Sequence, residues 1–216
     1  MKNFNVISKI TVFAAAIAAT VPMLVQAESA TVSGPGPLTT NARLDFRVTV
    51  PKVLFLRVGT GVGFGLPANT TIDLIDFVVP AANVGDGSII SATVASGDLG
   101  TGAVTALLRS NAGQVTLTAN TVGALNNGAA GDTIPWSQIA VASAILPATG
   151  ANTLPHTVPL PAAGASANFA SAPAGKITDF SSKWTYTYLN AAIVPAGTYG
   201  GVGVNNGRVT YTASVL

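Results

Sequence analysis

Cysteine is absent from all 216 residues. That removes a disulfide framework, a thiolate metal site and a cysteine nucleophile. Histidine occurs once, at His156 within a proline-rich stretch. A Ser-His-Asp triad could use only this residue, and no G-x-S-x-G elbow accompanies it. A histidine zinc site needs more ligands than the chain has, so His156 reads as an exposed loop residue. Glu28 is the only glutamate. Asp73 and Asp76 fall three apart, on opposite faces of a strand, which makes them a poor acid–base pair. Asp86, Asp98 and Asp132 each adjoin a glycine, where aspartate forms turns by bonding its own backbone. A calcium site could recruit such aspartates, but no EF-hand or glycine–aspartate array is present. These shortages predict a non-enzymatic chain without metal or cofactor.

Charge is also scarce, at 8% of residues. Lys2 and Lys9 lie in a first stretch of 27 residues that contains no acid. Without that stretch, the remaining basic residues balance the eight acids. A neutral, charge-poor surface excludes a nucleic-acid binder, which needs clustered Lys and Arg. It excludes a polybasic membrane binder for the same reason. Low net charge leaves little repulsion against self-contact, so a homo-oligomer or an association with other surface subunits is expected.

The first 27 residues themselves have the form of a secretory leader. Two lysines precede the apolar stretch 10–25, and Val25-Gln26-Ala27 ends on a small residue. Cleavage is expected between Ala27 and Glu28, leaving residues 28–216 as one exported domain in the periplasm, at the cell surface or outside the cell. No second apolar run suits a membrane-spanning helix.

That domain reads as all-β. Leu44, Phe46, Val48 and Val50 alternate with Asp45, Arg47 and Thr49, the period of a half-buried strand. Further strands are predicted at 53–58, 71–79, 88–94, 103–109, 114–119, 138–142 and 183–189. Gly- and Asn-rich turns separate them, as in an antiparallel sandwich or barrel. Val209, Tyr211, Ala213 and Val215 alternate in a final strand. Asn206-Gly207 before it suits a type I′ turn. The glycines of 59–65 fall at alternate positions with no lysine following, so they form a bend rather than a phosphate loop. Residues 147–175 are rich in Ala, Pro and Gly and are expected to form a long loop, either holding a short strand around Thr157–Leu160 or forming a mobile surface excursion. Trp184, Tyr186 and Tyr188 share one strand face. That row suits core packing, with an exposed sugar-stacking or partner face as the alternative. Thr116/Thr118, Thr185/Thr187 and Thr210/Thr212 fit solvent-facing strand positions.

The ending Pro195-Ala-Gly-Thr-Tyr-Gly-Gly, followed by Gly207-Arg-Val-Thr-Tyr-Thr-Ala-Ser214, resembles the close of bacterial fimbrial subunits. These are the chaperone–usher pilins and the related spore-coat-protein-U-like secreted proteins. Leu44–Gly59 is similar to their opening strands. The resemblance implies an incomplete immunoglobulin-like sandwich, a periplasmic chaperone as partner, and a neighbouring subunit that donates a strand. It places the donor at the mature N-terminus, where Ala30 and Val32 are followed by the breaker Gly34-Pro35-Gly36-Pro37. The expected function is that of a structural or adhesive surface subunit. A stand-alone carbohydrate- or surface-binding sandwich and a small outer-membrane barrel are the alternatives.

Overall fold

The computed structural model describes residues 28–64, 67–146, 152–156, 160–170 and 176–215. The leader with Ala27, and most of the predicted strand at Thr157–Leu160, lie outside them. The chain divides after Val50 into two units.

In the first unit, residues 28–50 form no strand. Glu28 and Arg43 are joined by a 2.7 Å ion pair. That contact holds the Glu28 carboxyl below its ordinary range through the guanidinium hydrogen bond. The predicted strand over 43–50 is corrected here. Among the described residues it has no ladder partner, and Leu44, Phe46, Val48 and Val50 are all exposed, Phe46 at 85% and Val48 at 84%. The alternation is real, but a strand needs a neighbour to bond, and among the described residues this segment has none.

The second unit, from Pro51, is all-β, with no α-helix among the described residues. Its first sheet is built on β9 (Thr178–Tyr188), which pairs antiparallel with β3 (Ala103–Ser110) and, on the opposite side, with β7 (Ile139–Ala144). β1 (Leu54–Val58) adds to the far side of β3, and β2 (Ile90–Ser91) continues the β3 side against Tyr188 and Thr187. The second sheet runs in the order β10 (Thr210–Val215), β4 (Val115–Thr121), β8 (Gly164–Ala170). A short ladder joins β5 (Leu125–Asn126) to β6 (Thr133–Ile134). The antiparallel sheets pack together as a β-sandwich. Val104, Ala106, Leu108, Trp184, Tyr186 and Tyr188 come from the first sheet, and Val115, Leu117 and Ala119 from the second. These residues form one core because alternate side chains of each strand turn to the same side.

Most predicted strands are present, with shifted ends. The strand predicted from Lys183 starts at Thr178, because its polar first half is covered by β3. Residues 88–94 form only the two-residue β2. Thr71–Val79 is extended but joins no ladder. Its Ile75, Phe77 and Val79 pack on the core, while the Asp76 backbone accepts from Thr93 N–H and donates its own N–H to Ser96 Oγ. The turn before β10 is centred one residue earlier than its sequence suggests. Asn205 and Asn206 carry the positive φ values, and Gly207 N–H closes on Val204 O at 2.8 Å. Gly207 is needed for a different reason: a Cβ there would lie 2.3 Å from Gly201 N.

One buried clasp binds distant parts of this unit. Asn190 adopts φ +52°, a conformation asparagine tolerates better than most residues. Its Oδ1 accepts from Gly85 N–H at 3.0 Å, and its Nδ2 donates to Asn83 O at 2.5 Å. Asn190→Ala strands both backbone groups and keeps the unfavourable φ, so it should cost about 3 kcal/mol. Urea denaturation of wild type and variant checks this.

Candidate functional site

Two features stand out: an inward aromatic cluster and an outer sheet edge. Strand β9 sends Trp184, Tyr186 and Tyr188 into the core, all three buried and Trp184 at 0% exposure. They offer no face to a sugar or partner, and core packing accounts for the row. Trp184 Nε1 donates to Leu154 O at 2.9 Å, and Ser143 Oγ donates to the same oxygen at 2.7 Å. The expectation of an exposed His156 is also corrected, since the residue is only 8% exposed. Its ring stands edge-on to Trp184 at 4.9 Å between centroids. Its Nε2 lies 3.0 Å from Tyr211 Oη, which in turn lies 2.8 Å from Tyr186 Oη. A single His in a loop carries no sequence signal for this role. The strand parity of Tyr186 and Tyr211 shows that each faces inward, but not that they meet.

Burial raises the phenol pKa of Tyr186, Tyr188, Tyr199 and Tyr211 above the ordinary 10.0. These are all four tyrosines of the chain. An acid with a raised folded pKa ionises first in the unfolded chain, so its contribution is complete below about pH 10 and is lost above it. Stability should therefore hold to about pH 9 and fall as pH rises through 10 and beyond. Denaturant midpoints measured across that range, alongside phenolate absorbance, check this.

The carboxylates are engaged in structure. Asp98 accepts from Arg57 Nη2 at 2.9 Å and from Thr105 N–H at 2.7 Å. Asp86 accepts from Ser88, Asn83 and Asn190, and Ser88 holds its carboxyl below the usual range. Asp132 accepts from Asn127 Nδ2. Asp73 accepts from Thr60 N–H, and Asp76 points to the opposite, exposed side. Oxygens filled by N–H and O–H donors do not form a cation cage. Among the described residues, no group of three His, Asp or Glu side chains converges on a metal position. No described helix is long and apolar enough to cross a membrane.

The edge of β10 shows an abrupt change in burial. Tyr211, Ala213 and Val215 pair across the ladder with Ala119, Leu117 and Val115. The β4 members of these rows are fully buried, while the β10 members are only half-buried. Among the described residues, β10 pairs with β4 alone. β1, the outer strand of the other sheet, touches β10 and is likewise incompletely covered, with Leu54 exposed and Leu56 and Val58 half-buried. The core therefore thins out along this side of the sandwich. Exposed sheet edges are usually blunted by charge, proline or a bulge. β10 (Thr-Tyr-Thr-Ala-Ser-Val) contains no charged residue and no proline, and its pairing with β4 runs without a register shift.

No family model, no curated protein and no solved structure matches this chain. The class rests on the fold and the site: an all-β antiparallel sandwich with an unprotected outer strand, preceded in sequence by an exposed alternating segment.

Proposed function

We propose that the chain is an exported, non-enzymatic structural subunit of a cell-surface assembly that associates with copies of itself by strand addition. Leu44–Val50 of one copy pairs along the free edge of β10 in the next. The observation that carries this reading is the exposure of Leu44, Phe46, Val48 and Val50 in a segment that joins no ladder among the described residues. Such a row gains about 2 kcal/mol per side chain on burial and is costly to leave in water. The inner row of β10 has the matching two-residue period, and among the described residues its ladder partner is β4 on one side only. Main-chain hydrogen bonds would supply the affinity and the alternating side chains the register.

The strand order adds support for an immunoglobulin-like, pilin-like plan. The orders β1-β3-β9-β7 and β8-β4-β10 correspond to the A-B-E-D sheet and the C and F positions of that fold, with no described strand at the G position beside β10. β8 departs from the plan, because it follows β7 in the chain rather than preceding it. The leader at 1–27 supports export, and an edge this sticky suits a periplasmic chaperone that shields it before assembly. This reading moves the donor from Ala30 and Val32, where the fimbrial resemblance placed it, to Leu44–Val50. The carbohydrate-binding alternative loses its motive with the burial of Trp184, Tyr186 and Tyr188.

Light scattering with negative-stain microscopy tests the proposal. Purified protein should form oligomers or filaments. An excess of a peptide spanning residues 43–50 should cap them to small species. A monomer at all concentrations that does not bind this peptide would overturn the reading.

A further inference from the structure

We propose that the Arg47–Val48 bond is a processing site for a trypsin-class endoprotease. A protease cleft takes its substrate as an extended strand, bonded main chain to main chain. A bond held in a ladder or a closed turn must first open, so its cutting follows the free energy of local opening. Arginine adds a charge for the carboxylate in the specificity pocket of this enzyme class. Eight Lys and Arg residues follow residue 27, and the structure separates them.

Arg57, Arg109 and Lys183 lie within β1, β3 and β9, each in register with a neighbouring strand. The carbonyl of Lys176, which a protease would attack, accepts from Gly113 N–H at 3.2 Å. Arg208 stands between a turn closed by Gly207 N–H on Val204 O and Thr210, where the β10 ladder begins. Asn111 grips the Lys52–Val53 bond from both sides. Its Nδ2 donates to Pro51 O at 2.8 Å, and its Oδ1 accepts from Val53 N–H at 2.8 Å. Two basic residues remain, Arg43 and Arg47. Residues 28–52 are exposed throughout and form no strand, so neither bond needs a ladder to open. Arg43 is engaged all the same. Its Nε and Nη2 donate to the Glu28 carboxylate at 2.7 and 3.0 Å, and its N–H donates there at 3.2 Å. Among the described residues no ion pair holds Arg47.

Hydrolysis takes up one water and leaves a carboxylate on Arg47 and an amino group on Val48. The product that keeps the sandwich begins at Val48. It has lost Leu44 and Phe46, half of the exposed row, and has kept β10 entire. The consequence for assembly rests on the strand-addition reading. A cut copy then still accepts a donor along β10 but offers none, so it ends a growing chain. Pairing within an assembly would lock the same bond into a ladder, so the cut would fall on free copies.

Brief trypsin digestion at a low enzyme ratio, on protein dissociated by dilution and followed by intact-mass measurement, tests the site. Within residues 28–215 the first cut should fall after Arg47. The fragment from Val48 onward should then persist at least tenfold longer than the uncut chain. In Arg47→Gln the first cut should move to Arg43 and slow by about threefold, the scale of an exposed ion pair. A first cut at Arg43 in wild type, a first cut after Lys52, Lys176, Arg208 or inside a strand, or resistance of the whole chain, would overturn the proposal. Light scattering of intact protein mixed with the cut fragment reads the consequence, and the size of the assemblies should fall severalfold. If Arg47 is cut first but the fragment leaves the assemblies unchanged, the processing site stands and strand addition fails. If the peptide spanning residues 43–50 caps the assemblies but the first cut lies elsewhere, strand addition stands and the processing site fails.

Discussion

The double variant Phe46→Asp/Val48→Asp should abolish self-association while leaving the sandwich as stable as wild type. Both side chains are more than four-fifths exposed and belong to the unit that precedes Pro51. Their replacement removes no packing from the core, and surface changes of this kind alter stability by less than about 0.5 kcal/mol. In an assembly the same positions would be buried against a neighbour. Each aspartate would then bring an unpaired charge into an apolar seam, at a cost of several kcal/mol per site. The difference between the two environments separates a binding defect from a folding defect. Sedimentation velocity and a denaturant titration on the same samples make the comparison. Loss of association with an unchanged midpoint is expected; persistence of oligomers would show that another surface joins the copies. Swapping the outward residues in Asp45→Lys should have little effect, because that face of the segment meets solvent in either state.

Trp184→Ala should unfold a large share of the molecules. The indole is fully buried at the centre of the cluster and packs against His156 and Tyr211. Trp→Ala in a core costs about 3–5 kcal/mol from lost transfer energy and the cavity left behind. Total stabilities of small domains are about 5–15 kcal/mol, so little margin remains. No disulfide limits the unfolded ensemble, because the chain has no cysteine. Trp184→Phe should retain more than half of the lost stability, since it refills most of the volume and gives up the bond to Leu154 O. That oxygen still accepts from Ser143 Oγ. Equilibrium urea denaturation of both variants gives the comparison. A cost below about 1 kcal/mol for Trp184→Ala would mean that the two sheets do not depend on this cluster.

The features legible in the sequence were those set by local pattern. β3, β4, β7, β9 and β10 all fall on stretches whose alternation or apolar runs mark strands, because burial on one face imposes a period of two. What could not be read was whether a strand has a neighbour. Leu44–Val50 and Val209–Val215 have the same pattern, yet one is unpaired and the other joins β4. Thr71–Val79 lies between these cases, with its inner row packed and its ladder missing. Pairing depends on chain segments far apart, and periodicity says nothing of them. The 147–175 stretch shows a second limit. Its composition suggests a loop, but Gly164–Ala170 adds as an edge strand to β4. His156 shows a third, since the rings described around it, Trp184, Tyr186 and Tyr211, come from β9 and β10, far away in the sequence.

The placement of β1 bears on how such a subunit would carry tension. The segment proposed to engage a neighbour ends at Val50, and β1 begins four residues later, locked antiparallel to β3 over its whole length. At the other end of the load path, β10 is locked to β4 over six register pairs. A pull along a fibre would enter through the start of β1 and leave through β10, along the strand axes. Hydrogen bonds perpendicular to that axis would then be sheared together rather than peeled one by one. A chain without covalent cross-links could in this way resist extension collectively, with rupture set by the shorter of the two ladders.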